Sequence, residues 1–149
     1  DVDRFVESTI RKHNMIPTFK GYGGFPASAC VSINEEVVHG IPDKKRIIQE
    51  GDIVSVDVGS THKGYVSDAA RTYGIGQISP VAQKIIEAAK ASFFAGLEYC
   101  KVGYRLSDIS NAIQMKAEGE GFSVIIAFKR RNHIVLPDCA FNKSVHVLC

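Results

Sequence analysis

The chain has 149 residues, of which 45% are hydrophobic and 23% are charged, and its formal net charge is +2. This length and composition are typical of a globular protein with one sizeable core. The small net charge does not indicate a nucleic-acid partner or an anionic membrane surface. No apolar run reaches the roughly 18 residues of a membrane-spanning helix.

The cysteines show no CxxC spacing, and no signal peptide is recognisable. We therefore predict reduced thiols in a cytoplasmic protein rather than disulfides. The first residue is Asp1 and not Met, which we interpret as a sign of a fragment or a processed product. The four thiols are those of Cys30, Cys100, Cys139 and Cys149.

The N-terminal segment predicts an amphipathic helix over residues 2–14, stopped by Pro17. A loop rich in glycine follows, and in it Phe19, Tyr22 and Phe25 recur every three residues. Rigid aromatic side chains on such a loop suit an apolar binding pocket. They would equally serve as anchors that hold the loop in place.

A strand is predicted over residues 29–33, and a loop carrying His39 follows it. His39 precedes Gly40 and Pro42, so it lies where the strand gives way to a fixed turn. A lone histidine is often structural or simply solvated. Its position at a loop edge also makes it a candidate functional residue.

Residues 53–72 predict a β-hairpin. Val54, Val56 and Val58 alternate with more polar or smaller residues, as in a strand with two different faces. A turn over residues 61–64, centred between His62 and Lys63, would place Asp57 directly opposite Asp68.

Directly opposed residues have Cβ atoms about 4.5–5.5 Å apart, and two like charges so placed are destabilising unless a ligand neutralises them. The neighbours on this face are mostly small, which leaves room for one divalent cation or a pair of them. The alternative is a solvent-exposed hairpin face that carries two unrelated acids.

Beyond the hairpin the hydrophobic period becomes helical. Ser79 and Pro80 predict the start of a long helix that ends near Gly103. A second helix is predicted from Leu106 to Gly119 or Gly121, and a strand over residues 122–126.

Three segments carry a family resemblance: residues 21–42 (GYGGFPASACVSINEEVVHGIP), residues 50–59 (EGDIVSVDVG) and residues 64–72 (GYVSDAART). In this order and spacing they closely resemble type I methionine aminopeptidase of the bacterial kind. The resemblance covers roughly residues 3–125. It implies an α+β pita-bread fold, in which flanking helices surround an antiparallel sheet.

The resemblance also implies a site and a reaction. Asp57 and Asp68 match the family's metal-binding aspartates, and His39 matches its catalytic, substrate-contacting histidine. Phe19, Tyr22 and Phe25 match positions that line the methionine side-chain pocket. The family uses two divalent metal ions per site (cobalt, manganese, iron or zinc) to remove Met from the N-termini of nascent chains, which makes the ribosome a candidate partner.

The last part of the chain departs from the family pattern. Residues 126–149 lack the family's Gly-His-Gly-Ile-Gly segment and its two downstream metal-binding glutamates, and His133 lies nearest to the missing histidine. We therefore expect residues 1–149 to form a single, incomplete metallo-aminopeptidase domain with a divergent tail. The alternatives to an aminopeptidase are an inactive pita-bread fragment or binding module, and a relative of the Xaa-Pro peptidases.

Overall fold

The computed structural model describes residues 1–124. These residues form two compact units, one covering Asp1–Ile78 and the other beginning at Ser79. The single domain predicted over residues 1–149 stays a prediction. His133 and the predicted divergent tail lie outside the described residues.

The first unit contains one helix and a four-stranded antiparallel sheet. The helix is α1 (Val2–Lys12), and the strands are β1 (Ile16–Pro17), β2 (Ala29–Ile33), β3 (Ile53–His62) and β4 (Tyr65–Gly74). β3 pairs antiparallel with all three other strands, along its full length with β4. A short 3-10 turn, Tyr22–Gly24, lies in the predicted glycine-rich loop that carries Phe19, Tyr22 and Phe25, called the aromatic loop below.

The core of this unit lies on one face of the sheet. Ala29, Val31 and Val54 are buried there, with Val2 and Val6 of α1 packed against them. The alternation along β3 explains this arrangement, because residues two apart in a strand share a face. Val54 lies in this core and Val56 and Val58 pack against it, so β3 has the two different faces that the alternation predicted.

The second unit is a pair of packed helices, α2 (Pro80–Leu97) and α3 (Leu106–Gly119). Ser79 caps α2 as predicted, because its hydroxyl accepts a hydrogen bond from the Ala82 N–H at 3.1 Å. The helices approach closely at Gly96, where an added Cβ would lie 2.6 Å from a side-chain carbon of Ile113.

Two predicted elements differ from the structure. The helix predicted to reach Gly103 ends at Leu97. Beyond it, the N–H groups of Tyr99 and Cys100 donate to carbonyls three residues earlier, as in a 3-10 turn, and not four residues earlier. Cys100, which the predicted helix would include, therefore follows the helix. The strand predicted over residues 122–126 is not formed by residues 122–124, and its remainder lies outside the described part.

None of the helices among residues 1–124 is long and apolar enough to span a bilayer.

Candidate metal-binding and substrate site

The turn between β3 and β4 sets the register of the two candidate metal ligands. Lys63 and Gly64 have φ angles of 51° and 85°. Positive φ at both central residues is the geometry of a type I′ turn, which suits the twist of a two-stranded hairpin. The turn is therefore centred between Lys63 and Gly64, and His62 pairs with Tyr65.

The predicted pairing of Asp57 with Asp68 is wrong by two residues. Asp57 pairs with Ala70, and Asp68 pairs with Gly59. A turn centred between His62 and Lys63 would require positive φ at two residues with side chains, whereas the observed turn has Gly64 at one of the two positions. A slip of two positions keeps every side chain on its face, so both aspartates still lie on the same side of the sheet.

The corrected register makes the two acids diagonal neighbours. Diagonal residues in an antiparallel pair lie about 7–8 Å apart, a longer separation than that of direct partners. Their direct partners in the ladder are Ala70 and Gly59, which have the smallest side chains. Neither residue adds a bulky side chain of its own between the two carboxylates, as an ion bound by both would require.

Burial differs between the two carboxylates. Oδ1 of Asp57 has less than 1 Å² of accessible surface, whereas Asp68 is exposed. The face continues along the hairpin in small polar residues, with a hydrogen bond of 2.6 Å between the hydroxyl groups of Ser55 and Thr72.

Cys30 belongs to the same face, and the sequence reasoning missed it. It pairs directly with Asp57 across β2 and β3 and is 5% exposed. Burial, followed by the negative charges of Asp57 and Asp68, raises the pKa of the Cys30 thiol to about 12. Both carboxylates therefore raise the pKa of the same thiol on β2, and that thiol is neutral.

The aromatic loop is fastened to the sheet at Gly59. The Thr18 N–H donates to the Gly59 carbonyl at 2.9 Å, and an added Cβ at Gly59 would lie 2.5 Å from a ring carbon of Phe19. Phe19 thus takes the space that a side chain opposite Asp68 would fill.

Tyr22 and Phe25 lie further along this loop. The Gly21 N–H donates to the Phe25 carbonyl at 2.8 Å, and the Phe25 N–H donates to the Tyr22 carbonyl at 3.0 Å. These bonds close the loop into a compact turn. Phe25 is half-buried, whereas Tyr22 is 62% exposed.

The loop carrying His39 returns to β2. The Val31 N–H donates to the Gly40 carbonyl at 2.8 Å, and the Gly40 N–H donates to the Ser32 hydroxyl at 3.1 Å. A Cβ at Gly40 would meet the Val31 carbonyl oxygen at 2.2 Å, so only glycine permits this approach. His39, exposed and with φ of 59°, is therefore held beside the strand that carries Cys30.

The donor set fits part of a divalent-metal site. Carboxylate oxygens suit hard cations such as Mg²⁺ and Mn²⁺. Within residues 1–124, however, no group of three or more His, Cys, Asp or Glu side chains is placed to hold an ion. Asp57 and Asp68 can thus supply two ligand positions, and further ligands would have to come from water or from elsewhere.

The family model that matches this chain is that of metallopeptidase family M24, over residues 1–139. The chain belongs to this family. The methionine aminopeptidase of Clostridium acetobutylicum is 57% identical over 125 residues, which are 84% of this chain and 50% of that protein. Methionine aminopeptidase 1 of Bacillus subtilis is 48% identical over 125 residues, again 84% of this chain and 50% of that protein. The chain therefore spans about half the length of these relatives.

Solved structures give the same result for the fold. The Thermotoga maritima methionine aminopeptidase matches with a TM-score of 0.83 at 41% identity, over 86% of this chain and 51% of that one. The Rickettsia prowazekii methionine aminopeptidase matches with a TM-score of 0.81 at 35% identity, over 85% and 51%. The predicted α+β pita-bread fold is thereby confirmed. The X-Pro aminopeptidase of T. maritima, at 17% identity, shares the fold alone.

Proposed function

We propose that this chain forms part of a metal-dependent aminopeptidase that hydrolyses N-terminal Met from nascent chains. The observation that carries the proposal is the common sheet face of Asp57 and Asp68, edged by the Phe19 loop, in a chain 57% identical to a methionine aminopeptidase. An acidic site beside rigid aromatic side chains suits a substrate with an apolar first residue and a scissile bond next to it.

In this proposal each residue has a distinct task. Asp57 and Asp68 hold the divalent metal, and Phe19, Tyr22 and Phe25 bind the methionine side chain. His39 donates a hydrogen bond to the peptide at the scissile bond, where charge develops. A bound metal would polarise the carbonyl and lower the pKa of a water molecule.

Cys30 contributes through its neutrality. Because its pKa is about 12, the thiol adds no third negative charge beside the two carboxylates. A neutral, buried sulfur also behaves as a small apolar side chain. Cation binding on this face is therefore left to the two carboxylates.

The number and identity of the metal ions, the cellular compartment and the ribosome as a partner are also proposals. The family relationship indicates divalent metal chemistry, and we propose two ions per site, from cobalt, manganese, iron or zinc. The free Cys30 and Cys100 thiols fit a cytoplasmic compartment, where nascent chains emerge and the ribosome would be the neighbouring partner.

The test is release of free Met from a Met-Ala-Ser peptide by the whole chain with Mn²⁺ or Co²⁺. The double variant Asp57→Asn/Asp68→Asn should abolish release, because it removes both charges and keeps the side-chain shapes. Asp43→Asn is the matched control, since Asp43 is an exposed loop residue that belongs to neither β3 nor β4. Equal release by wild type and double variant would refute the proposal.

A second candidate is a binding module that retains the fold without turnover. The absence of a group of three ligands among residues 1–124 favours it. Calorimetry with free Met, the reaction product, followed by the release assay on the same sample, separates the enzyme from the binding module. Binding with no release at any metal concentration would select the binding module.

A further inference from the structure

We propose that Arg46 and Glu36 are positioning residues that hold His39 in its left-handed backbone conformation, and so set where its imidazole meets substrate. The inference rests on the proposed function for what His39 does. It rests on geometry alone for how His39 is held.

His39 adopts a backbone conformation that few non-glycine residues adopt. Its φ of 59° lies in the left-handed region, which is uncommon for a residue with a Cβ. Such a conformation costs of order 1–3 kcal/mol and persists only where the surroundings fix it. The contacts of the next two residues, Gly40 and Ile41, are therefore informative.

Gly40 is fixed on one side by β2. Its carbonyl accepts from the Val31 N–H at 2.8 Å and its N–H donates to the Ser32 hydroxyl at 3.1 Å. These two bonds fix the peptide after His39. They leave the direction of the chain beyond Gly40 to be set by something else.

Arg46 supplies that second constraint. Its guanidinium donates to the Ile41 carbonyl at 3.0 Å and also to the Glu36 carboxylate. Glu36 in turn accepts from the Ile33 N–H at 2.8 Å, at the end of β2. A line of contacts thus runs from β2 through Glu36 and Arg46 to the carbonyl two residues after His39.

The chemistry of the pair suits a brace. Arginine presents several N–H donors in a planar fork, so one side chain can hold a carboxylate and a carbonyl in fixed relative positions. Both side chains are partly buried, at 30% and 39% exposed, which limits competition from water. Lysine has the charge without the fork and cannot hold both acceptors in the same geometry.

The experiment uses the whole chain labelled with ¹⁵N and ¹³C, as wild type, Arg46→Ala, Arg46→Lys and Glu36→Gln. The one-bond Cα–Hα coupling and the chemical shifts of His39 report the sign of its φ. Lys63 serves as an internal control, because its positive φ is held by the hairpin turn and not by Arg46. Arg11→Ala is the matched variant, because Arg11 pairs with Glu7 on α1, away from the loop.

Arg46→Ala should shift the His39 signals towards negative φ while those of Lys63 stay in place, and Arg46→Lys should only partly restore them. Arg11→Ala should leave both residues unchanged. If Arg46→Ala loses the Lys63 signals as well, the fold has failed, and Glu36→Gln and Arg46→Lys decide instead. Unchanged His39 signals in every folded variant would overturn the proposal.

Kinetics give the second readout. A misplaced catalytic group of this kind typically lowers kcat by about 10–100-fold, so Arg46→Ala should lower kcat with little change in KM. An equal loss of kcat in Arg11→Ala would point to general destabilisation and count against positioning. If the wild-type chain releases no Met, the proposed function fails, and the NMR comparison still decides whether Arg46 holds His39.

Discussion

Cys30 lies directly opposite Asp57 across the ladder between β2 and β3, and the pKa of its thiol is raised to about 12. We expect Cys30 to resist alkylation by iodoacetamide at pH 8, because the thiolate is the reactive form. Cys100, which is exposed, should react first. Mass spectrometry of the digested chain measures both rates, and faster labelling of Cys30 would contradict the assignment.

The same shift has a consequence for stability. In the metal-free chain the folded state keeps the Cys30 proton at pH values where the unfolded state, with a pKa nearer 9, has lost it. The stabilisation is complete below pH 9 and is lost as pH rises towards 12. Urea unfolding from pH 8 to pH 11 should therefore show a smaller alkaline loss in Cys30→Ala than in wild type.

Gly59 provides a test of the aromatic loop. Gly59→Ala would place a Cβ 2.5 Å from the Phe19 ring, so the ring would have to move. Overpacking of this kind costs about 1–3 kcal/mol. We expect a lower unfolding midpoint and weaker binding of Met by calorimetry.

The matched control for Gly59→Ala is Gly119→Ala. Gly119 ends α3 and has open space where a Cβ would be added. It should be neutral, or stabilising by up to about 1 kcal/mol. Similar destabilisation by both variants would argue against a specific contact between Phe19 and Gly59.

The hairpin register can be tested through its turn. Lys63 is a non-glycine residue at the first central position of a type I′ turn, where asparagine is strongly preferred before glycine. Lys63→Asn should therefore stabilise the chain by a few tenths of a kcal/mol, measured as a rise in Tm. An unchanged or lower Tm would contradict the type I′ turn at Lys63 and Gly64.

Parts of this site could be predicted and parts could not, for physical reasons. Alternation along β3 correctly assigned Asp57 to the face opposite the valines, since side-chain direction is a local property. The register depended on which two residues accept positive φ, and this was misjudged by one position. The Cys30–Asp57 pairing joins residues from different strands, and no local pattern in either strand specifies it.

Asp3 ties α1 to the sheet. Its Oδ1 accepts hydrogen bonds from the N–H groups of Ser28 at 2.7 Å and Ala29 at 3.0 Å, and both of those residues are 0% exposed. Asp3→Ala would leave two buried donors without their acceptor, at about 1–3 kcal/mol for each unsatisfied group. Asp1→Ala should have little effect by comparison, because the Asp1 side chain is nearly fully exposed and its ion pair with Arg4 is exposed as well. Urea denaturation of both variants gives the comparison, and equal midpoints would contradict it.

The final prediction concerns metal affinity. Asp57 and Asp68 are diagonal neighbours, and a catalytic zinc site normally has three protein ligands. With only these two carboxylates, most coordination positions fall to water, so we expect Mn²⁺ to bind the chain with Kd of roughly 10⁻⁴–10⁻³ M, the range of weak carboxylate sites. Asp57→Asn/Asp68→Asn should abolish binding, whereas Asp43→Asn should preserve it.

Calorimetric titration of Mn²⁺ into the chain measures this directly, and a His133→Ala variant extends the test to the part of the chain beyond the described residues. Micromolar binding that His133→Ala removes would show that a third ligand completes the site. The chain would then carry enough ligands for catalysis, and the binding-module alternative would lose its main support. Micromolar binding that survives both His133→Ala and the double aspartate change would place the metal elsewhere, because neither carboxylate of the β3–β4 face would then be needed.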